Sequence, residues 1–446
     1  MSNAGHYSRR KFLKAVGALT AGLTLNPWLK SELIALGKDV PPAAPITILI
    51  NDSPWFPGFA AMAELYAEIT GNQVKLDVTP FAGMLNKTRN ATQARVSEYD
   101  AMAVNEFHIP LFYSTGLLAP INEIDPDFEL DLEIISYGHA ARWDSKSGVN
   151  GPDGTIFGIP INGNIQLYFY RKDIFEKHQI SPPQTFDEMD AIAEKLSRPP
   201  RMYGNACRAN PIFWEFGAYV DSYGADYVRL EESGKWSIGF ERPEGLAAVK
   251  RWLRLGRDWA PANFADLGQG DLLALMASGR LAQTHMVGAA APNFDDPNQS
   301  IVGGKMGATV VPGLTPRSRS PGTGIWVMSH PANLPDARRR AGLSFVKWLI
   351  AKENQFAYAL AGAIPVRQDT FKQMAVDEKV GWWASAFAES TPYLKPAIRL
   401  AEGPLIRDSV TTRMAQAYVE EITPEEAVTL MASEIRGIMQ DAGYPL

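Results

Sequence analysis

Apolar residues follow two alternating rhythms along most of the chain. Residues 46–50 (Ile-Thr-Ile-Leu-Ile) form a β-rich, mostly apolar run, as expected of a strand buried on both faces. The turn Asn51-Asp52-Ser53-Pro54 follows, and then Phe59, Met62, Ala63, Tyr66 and Ile69 recur at helical spacing until Gly71 stops the helix. Residues 74–78 predict a second strand and 100–104 a third, after another helical stretch. The same alternation resumes after Gly151, with strands predicted over 156–160, 166–171, 306–311 and 325–329. Thr185 and Glu188 predict a capping box ahead of the stripe Phe186, Met189, Ile192, Ala193 and Leu196. Thr423-Pro424-Glu425-Glu426 opens the last helix in the same way. Leu246, Val249, Trp252 and Leu253 mark another helix, residues 272–276 one more that ends at Gly279, and residues 345–360 a long one closed by Gly362. Strands alternating with helices predict an α/β fold with largely parallel sheets. No fixed repeat period is present, which argues against a solenoid.

The first forty residues follow neither rhythm. Ser8-Arg9-Arg10-Lys11-Phe12-Leu13-Lys14 precedes an apolar, Ala/Gly-rich run over 15–25 that is too short to span a bilayer. An arginine pair followed by Phe-Leu-Lys predicts export by the twin-arginine pathway and work in the periplasm. Residues 41–45 (Pro-Pro-Ala-Ala-Pro) predict a stiff linker. Cys207 is the single cysteine, so no internal disulfide forms and no lipid-attachment cysteine follows the apolar run.

Composition changes the picture only modestly. Hydrophobic content is 46% and charged content 21%, enough for a large core. The formal net charge is −6, and removing residues 1–30, which hold five basic and no acidic residues, leaves about −11. That balance argues against nucleic acid as a partner. The six His are scattered without metal-ligand spacing, and the Gly-x-Ser-x-Gly, phosphate-loop and clustered-Cys patterns are missing, so neither a cofactor nor a metal is expected.

Five stretches together resemble family 1 extracellular solute-binding proteins of ABC importers, sugar-binding type. They are residues 59–74; 99–104 with Ser114-Thr115-Gly116-Leu117-Leu118-Ala119-Pro120-Ile121; 157–173 with Pro182-Pro183-Gln184-Thr185-Phe186-Asp187-Glu188; 322–329; and 347–362 with Ile364-Pro365-Val366-Arg367. The most specific is Phe157-Gly158-Ile159-Pro160 through Tyr170-Arg171-Lys172-Asp173. The resemblance implies a two-lobe periplasmic-binding-protein fold, α/β, with discontinuous lobes joined by crossing hinge strands. It implies a signal and linker over 1–40, an N-lobe over 45–161 plus 324–363, and a C-lobe over 162–323 plus 364–446. Hinge segments are expected near 160–164, 322–326 and 363–367.

In an open α/β sheet, ligands gather beyond the carboxyl ends of the strands. Here those ends supply Asp52, Trp55 and Phe56, then Phe81, then Asn105 and Glu106. Rings for the C–H face of a sugar and carboxylates or amides for its hydroxyls are the mix a sugar needs. Asn162, Asn164, Trp214 and His285 are expected to face the cleft from the C-lobe, with Trp326 on the return strand and Arg367 after the third hinge. Each has a plainer explanation: Trp55 or Phe56 as a helix staple, Trp214 as core, His285 as a buried neutral histidine, Asn162 as a hinge backbone partner. The expected function is capture of a sugar or oligosaccharide and delivery to an ABC permease, by a monomer that does no chemistry on its ligand. Two alternatives stay open: the same fold binding a polyamine, an iron chelate or a phosphate ester, and a carbohydrate-active enzyme that pairs Asp52 with Glu106.

Overall fold

The computed structural model describes residues 40–446 apart from 211, 379 and 397–399. The expected export signal therefore lies outside the described residues. Eight strands organise the chain: β1 (Ile46–Asn51), β2 (Val74–Thr79), β3 (Ala101–Asn105), β4 (Ile159–Asn162), β5 (Gln166–Arg171), β6 (Gln283–Val287), β7 (Met306–Thr309) and β8 (Trp326–Ser329). They form a five-stranded sheet of order β2-β1-β3-β8-β4 and a three-stranded sheet of order β6-β5-β7. β1 runs parallel to β2 and β3, whereas β8 is inserted antiparallel between β3 and β4. Two small hairpins, Arg142–Trp143 with Thr155–Ile156 and Val228–Leu230 with Trp236–Ile238, add to the periphery.

The chain passes between the sheets several times. It leaves the larger sheet at the end of β4 and enters the smaller one at β5, only three residues later. It returns from β7 to β8, and Ile165 and Thr323 form a bridge between these two crossings. After the helix Lys352–Leu360 it crosses again, and the helix Gly381–Ser390 packs on β5 through the Trp382 and Phe169 rings, 6.1 Å apart. Two α/β bodies joined by such crossings make a two-lobe architecture.

Local chemistry explains the main elements. β1 and β3 are buried almost throughout, as their continuous apolar runs require. Gly71 ends the helix Phe56–Thr70 at φ 78°, a left-handed conformation that glycine adopts without a Cβ clash. The capping boxes at Thr185 and Thr423 are both present, each satisfying otherwise orphaned helix N–H groups for about 1 kcal/mol.

Three expected elements differ. The strand expected over 156–160 is split: Ile156 joins a hairpin and β4 starts at Ile159. The strand expected over 306–311 ends at Thr309. The long helix expected over 345–360 is two helices, Asp336–Ile350 and Lys352–Leu360, broken at Ala351 with ψ 145°. Side chains of the second helix cap the first: Asn354 donates to the Trp348 carbonyl, and Gln355 Nε2 donates to the Leu349 carbonyl at 2.9 Å. Those bonds replace the helical ones lost at the break.

Candidate cleft between the two lobes

At the cleft end of the larger sheet, register puts three sequence-predicted residues in one row: Asn105 pairs with Trp326, and Trp326 with Asn162. Trp326 is buried, and its ring meets Trp55 at 6.3 Å and Phe81 at 6.0 Å. Trp55 also packs edge-on against Phe59 at 6.1 Å, so it both seats its helix and supports Trp326. Phe81, 40% exposed, stacks on His108 at 5.8 Å. Burial and the neighbouring Arg407 and Arg89 charges pull His108 down to about 4, so the ring under Phe81 is neutral at pH 7. Phe56 is half-buried beside this cluster and Asp52 is exposed.

Glu106, fully buried just past β3, accepts from Thr323 Oγ1 at 2.6 Å and from the Ile325 N–H at 3.2 Å. Both donors lie on the crossing segment before β8, so this carboxylate ties the larger sheet to the hinge. Trp214 ties the other lobe to the same segment. Its Nε1 donates to the Thr323 carbonyl at 2.6 Å, while Gln166 Nε2 donates to the Trp214 carbonyl at 2.7 Å and Gln166 Oε1 accepts from the Gly322 N–H at 3.0 Å. Asn164 adds a third link: its Oδ1 accepts from the Ala289 N–H at 3.1 Å and its carbonyl from the Gly324 N–H at 2.8 Å. A Cβ at Gly324 would approach Trp214 Cζ2 to 3.1 Å, so the crossing chain runs close under the indole.

Beyond Trp214 lies a cavity of about 290 Å³. Its walls come from both lobes: Phe107, Gly138, Val149 and Asn150 on one side, and the helix Phe213–Ser222 with Tyr227 and Trp236 on the other. Phe213 and Tyr227 stack at 4.2 Å, and Phe107 reaches Phe213 across the cleft at 6.1 Å. Asp221, Asp226 and Lys395 also line the space. Under the Trp214 ring sits the Arg208 guanidinium, 5.6 Å from the centroid and held by Glu215 at 2.8 Å. Burial pushes the Glu215 carboxyl up to about 7 despite the opposing pull of Arg208. A larger hollow of about 670 Å³ lies elsewhere, between the linker residues 41–46 and the helix Asp336–Ile350. It draws nothing from the smaller sheet and is no cleft.

Of the residues singled out from sequence, Trp214 alone lines the cavity; Glu106 and Asn164 stand in the wall behind it. Trp55, Phe81 and Trp326 gather in the neighbouring aromatic cluster. Two lie apart from both. His285 sits within β6 between Tyr219 and the sheet, and burial pulls it to about 4, leaving a neutral imidazole. Arg367 is spent on Asp369 at 2.9 Å and Asp131 at 2.8 Å. Asn162 is fully buried, and neither side-chain polar atom has a partner among the described residues. Sequence reasoning missed Phe107, Asn150, Asp221, Asp226, Tyr227, Trp236 and Lys395. Only Phe107, adjacent to Asn105-Glu106, carried a local signal. Asp52 and Glu106 are not brought together as a carboxylate pair: one is exposed at the end of β1, the other buried at the hinge.

Among the described residues no helix is long and apolar enough to cross a membrane, and no group of three His, Cys, Asp or Glu side chains is placed to hold a metal.

The model of the bacterial extracellular solute-binding protein family matches residues 61–382. An erythritol/L-threitol-binding protein of Mycolicibacterium smegmatis is 22% identical over 410 residues, covering 83% of this chain and 84% of that protein. A ribitol-complexed ABC transporter solute-binding protein from Agrobacterium radiobacter K84 superposes with TM-score 0.75 at 20% identity, covering 90% of this chain and 99% of the other. A maltose-bound protein of T. maritima superposes with TM-score 0.77 at 19% identity, covering 89% and 100%. The two solved structures share the fold of the present protein, and the family match spans most of the chain. The chain belongs to the bacterial extracellular solute-binding protein family.

Proposed function

We propose that this protein captures a small polyol or a single sugar in the cleft and hands it, chemically unchanged, to an ABC import permease. The observation that carries this reading is the cavity of about 290 Å³ walled by rings from both lobes. That volume lies at the small end of the range of ligand pockets, about 300–1,000 Å³, which favours a small hydroxylated guest such as a tetritol, pentitol, hexitol or single sugar. Phe107 and Trp214 offer apolar surface for C–H groups, and the Asp221 and Asp226 carboxyls accept from hydroxyls. A relative named for erythritol and L-threitol and a structural neighbour holding ribitol support the same size class.

Closure would then be hinge motion about the crossings near 163–165, 322–326 and 363–367, with ligand shifting the open–closed equilibrium. We place the lobes at 45–162 plus 324–363 and at 163–323 plus 364–446, one residue past the expected first boundary because β4 keeps Asn162 in the larger sheet. The basic residues Arg9 and Arg10 ahead of an apolar run support twin-arginine export to the periplasm. A thermal-shift and calorimetric screen of tetritols, pentitols, hexitols, monosaccharides and disaccharides tests the reading. Saturable binding of a polyol or monosaccharide, recovered intact by mass spectrometry, is expected. Preference for a disaccharide, or conversion of the ligand, contradicts it.

A further inference from the structure

One side of the cavity is built from a hairpin that needs outside support. Asp226, Tyr227, Val228 and Trp236 line the space from this hairpin, Val228–Leu230 paired with Trp236–Ile238, and from its approach. Two such short strands are at best marginally stable in water, so a wall made of them stands only where another element bears on it. Trp214 and Tyr227 are each fixed by a side-chain hydrogen bond, to the Thr323 carbonyl at 2.6 Å and to the Phe213 carbonyl at 2.7 Å. Trp236 is half-buried and is held instead by residues 444 and 445.

The helix Pro424–Asp441 is closed at Gly443, whose φ of 81° is left-handed. The Gly443 N–H donates to the Gln440 carbonyl at 2.9 Å and the Tyr444 N–H to the Met439 carbonyl at 3.0 Å, the paired bonds of a Schellman stop. This reversal carries Tyr444 and Pro445 back along the free edge of the hairpin. The Pro445 carbonyl accepts from the Trp236 N–H at 2.6 Å, and the Tyr444 and Trp236 rings meet edge-on at 5.6 Å. Lys235 Nζ donates to the main-chain oxygen of Leu446 at 3.0 Å. The Tyr444 hydroxyl donates to Glu402 Oε2 at 2.7 Å. Glu402 shares a turn with Leu400, another residue of the cavity wall, where the Gly403 N–H donates to the Leu400 carbonyl at 3.0 Å. Burial and the Glu402 carboxylate push the Tyr444 phenol well above its ordinary range, so it remains a donor at neutral pH. One side chain outside the cavity thus joins two segments of its wall.

We propose that Tyr444 is a positioning residue of the ligand site: it holds Trp236 as the ring that bounds the guest, and so limits the size of guest the cleft accepts. This rests on the polyol reading and narrows it. With Trp236 held, the cavity stays at the small end of the ligand-pocket range. With Trp236 released, the hairpin side of the cavity loosens: a small guest loses a wall and a longer one gains room. Tyr444 acts through Trp236, so the effects of the two on binding do not add.

Calorimetry with the tightest polyol or monosaccharide and with a disaccharide compares the wild type with Tyr444→Ala, Tyr444→Phe, Trp236→Ala and the variant carrying both alanines. An edge-on aromatic pair is worth up to about tenfold in an equilibrium constant, so Tyr444→Ala should weaken the small guest by about three- to tenfold and narrow its preference over the disaccharide. Tyr444→Phe keeps the ring and should restore most of that affinity. The variant with both alanines should bind no more weakly than Trp236→Ala alone. A Tyr444 that serves stability alone would lower the denaturation midpoint and leave the preference between guests unchanged; that result, or additive losses in the double variant, overturns the proposal. Hydrogen exchange reads the support without any ligand: Tyr444→Ala should speed exchange of the amides over 228–238 while those of β5 and β6 keep their protection. Unchanged exchange in the hairpin overturns the proposal and leaves the polyol reading standing. Absence of binding by the wild type across the whole polyol and sugar panel overturns the polyol reading and the size limit with it.

Discussion

The two walls of the cleft spend their aromatic side chains in opposite ways. On the side of the larger sheet, Trp326 packs against Trp55 and Phe81, and the two tryptophans are almost fully buried. On the other side, Trp214 and Trp236 line a cavity, with Tyr227 beside them stacked on Phe213, and carboxyls share that space. Rings satisfied by other rings build a rigid edge at the hinge. Rings left facing a void, with polar groups between them, are free to meet a guest. Aromatic content at a strand end is thus no guide to which wall holds the ligand; what each ring already touches is.

Trp326→Ala breaks the comparison on its rigid side. Removing a buried indole that supports Trp55 and Phe81 should cost about 3 kcal/mol or more of stability, visible as a lowered denaturation midpoint, while polyol affinity falls by less than about tenfold. A large affinity loss with unchanged stability would move the ligand to the Trp326 cluster. Trp214→Ala tests the open side and should do the reverse, cutting affinity about a hundredfold, or ~2–3 kcal/mol, in calorimetry. It also removes the Thr323 hydrogen bond, so a lesser loss of stability accompanies it.

A pH experiment sharpens the role of the support beneath Trp214. The Glu215 carboxyl, pushed up to about 7 by burial from an ordinary 4.5, holds its proton more readily in the folded protein than in the unfolded chain. Its contribution to stability is therefore complete below about pH 4.5 and is lost as pH rises through about 7. Glu215→Gln removes that titration, so its midpoint-against-pH curve should be flatter than the wild-type curve over this window. Parallel curves would show that Arg208 keeps Glu215 ionised throughout. The smallest effect is expected at Asn162, whose amide has no partner among the described residues. Replacing an unpaired buried amide by an apolar group of similar shape is nearly neutral, so Asn162→Leu should shift stability by less than about 1 kcal/mol. A loss of affinity in the same variant would show that the amide meets ligand in the cleft.

The frame of the molecule was legible because strands buried on both faces must be apolar throughout, as in β1 and β3. Helix ends at Gly71, Thr185 and Thr423 were legible because their chemistry is local. The break at Ala351 was not: the apolar stripe runs through it, and the carbonyls it frees are capped by Asn354 and Gln355, which look like ordinary helix residues in sequence. Glu106 was legible as a buried charge in need of partners, but not that Thr323 would be one. Arg367 had its explanation two residues away in Asp369, a local ion pair that outweighs the pull of the cleft. The cavity was the least legible part. Asn150 comes from a loop beside a small hairpin, Asp221 from a helix end and Lys395 from the segment after the helix Gly381–Ser390, where it bridges to Gly322, and no periodicity links residues that only tertiary contacts bring together.

A crystal structure with the tightest polyol or monosaccharide from the calorimetric screen tests the central claim most directly. The account predicts one ligand molecule in the cavity between Phe107 and Trp214, its polar groups within hydrogen-bond distance of Asp221 or Asp226. Ligand seated instead against Trp326 and Phe81, or outside the cleft, would contradict it.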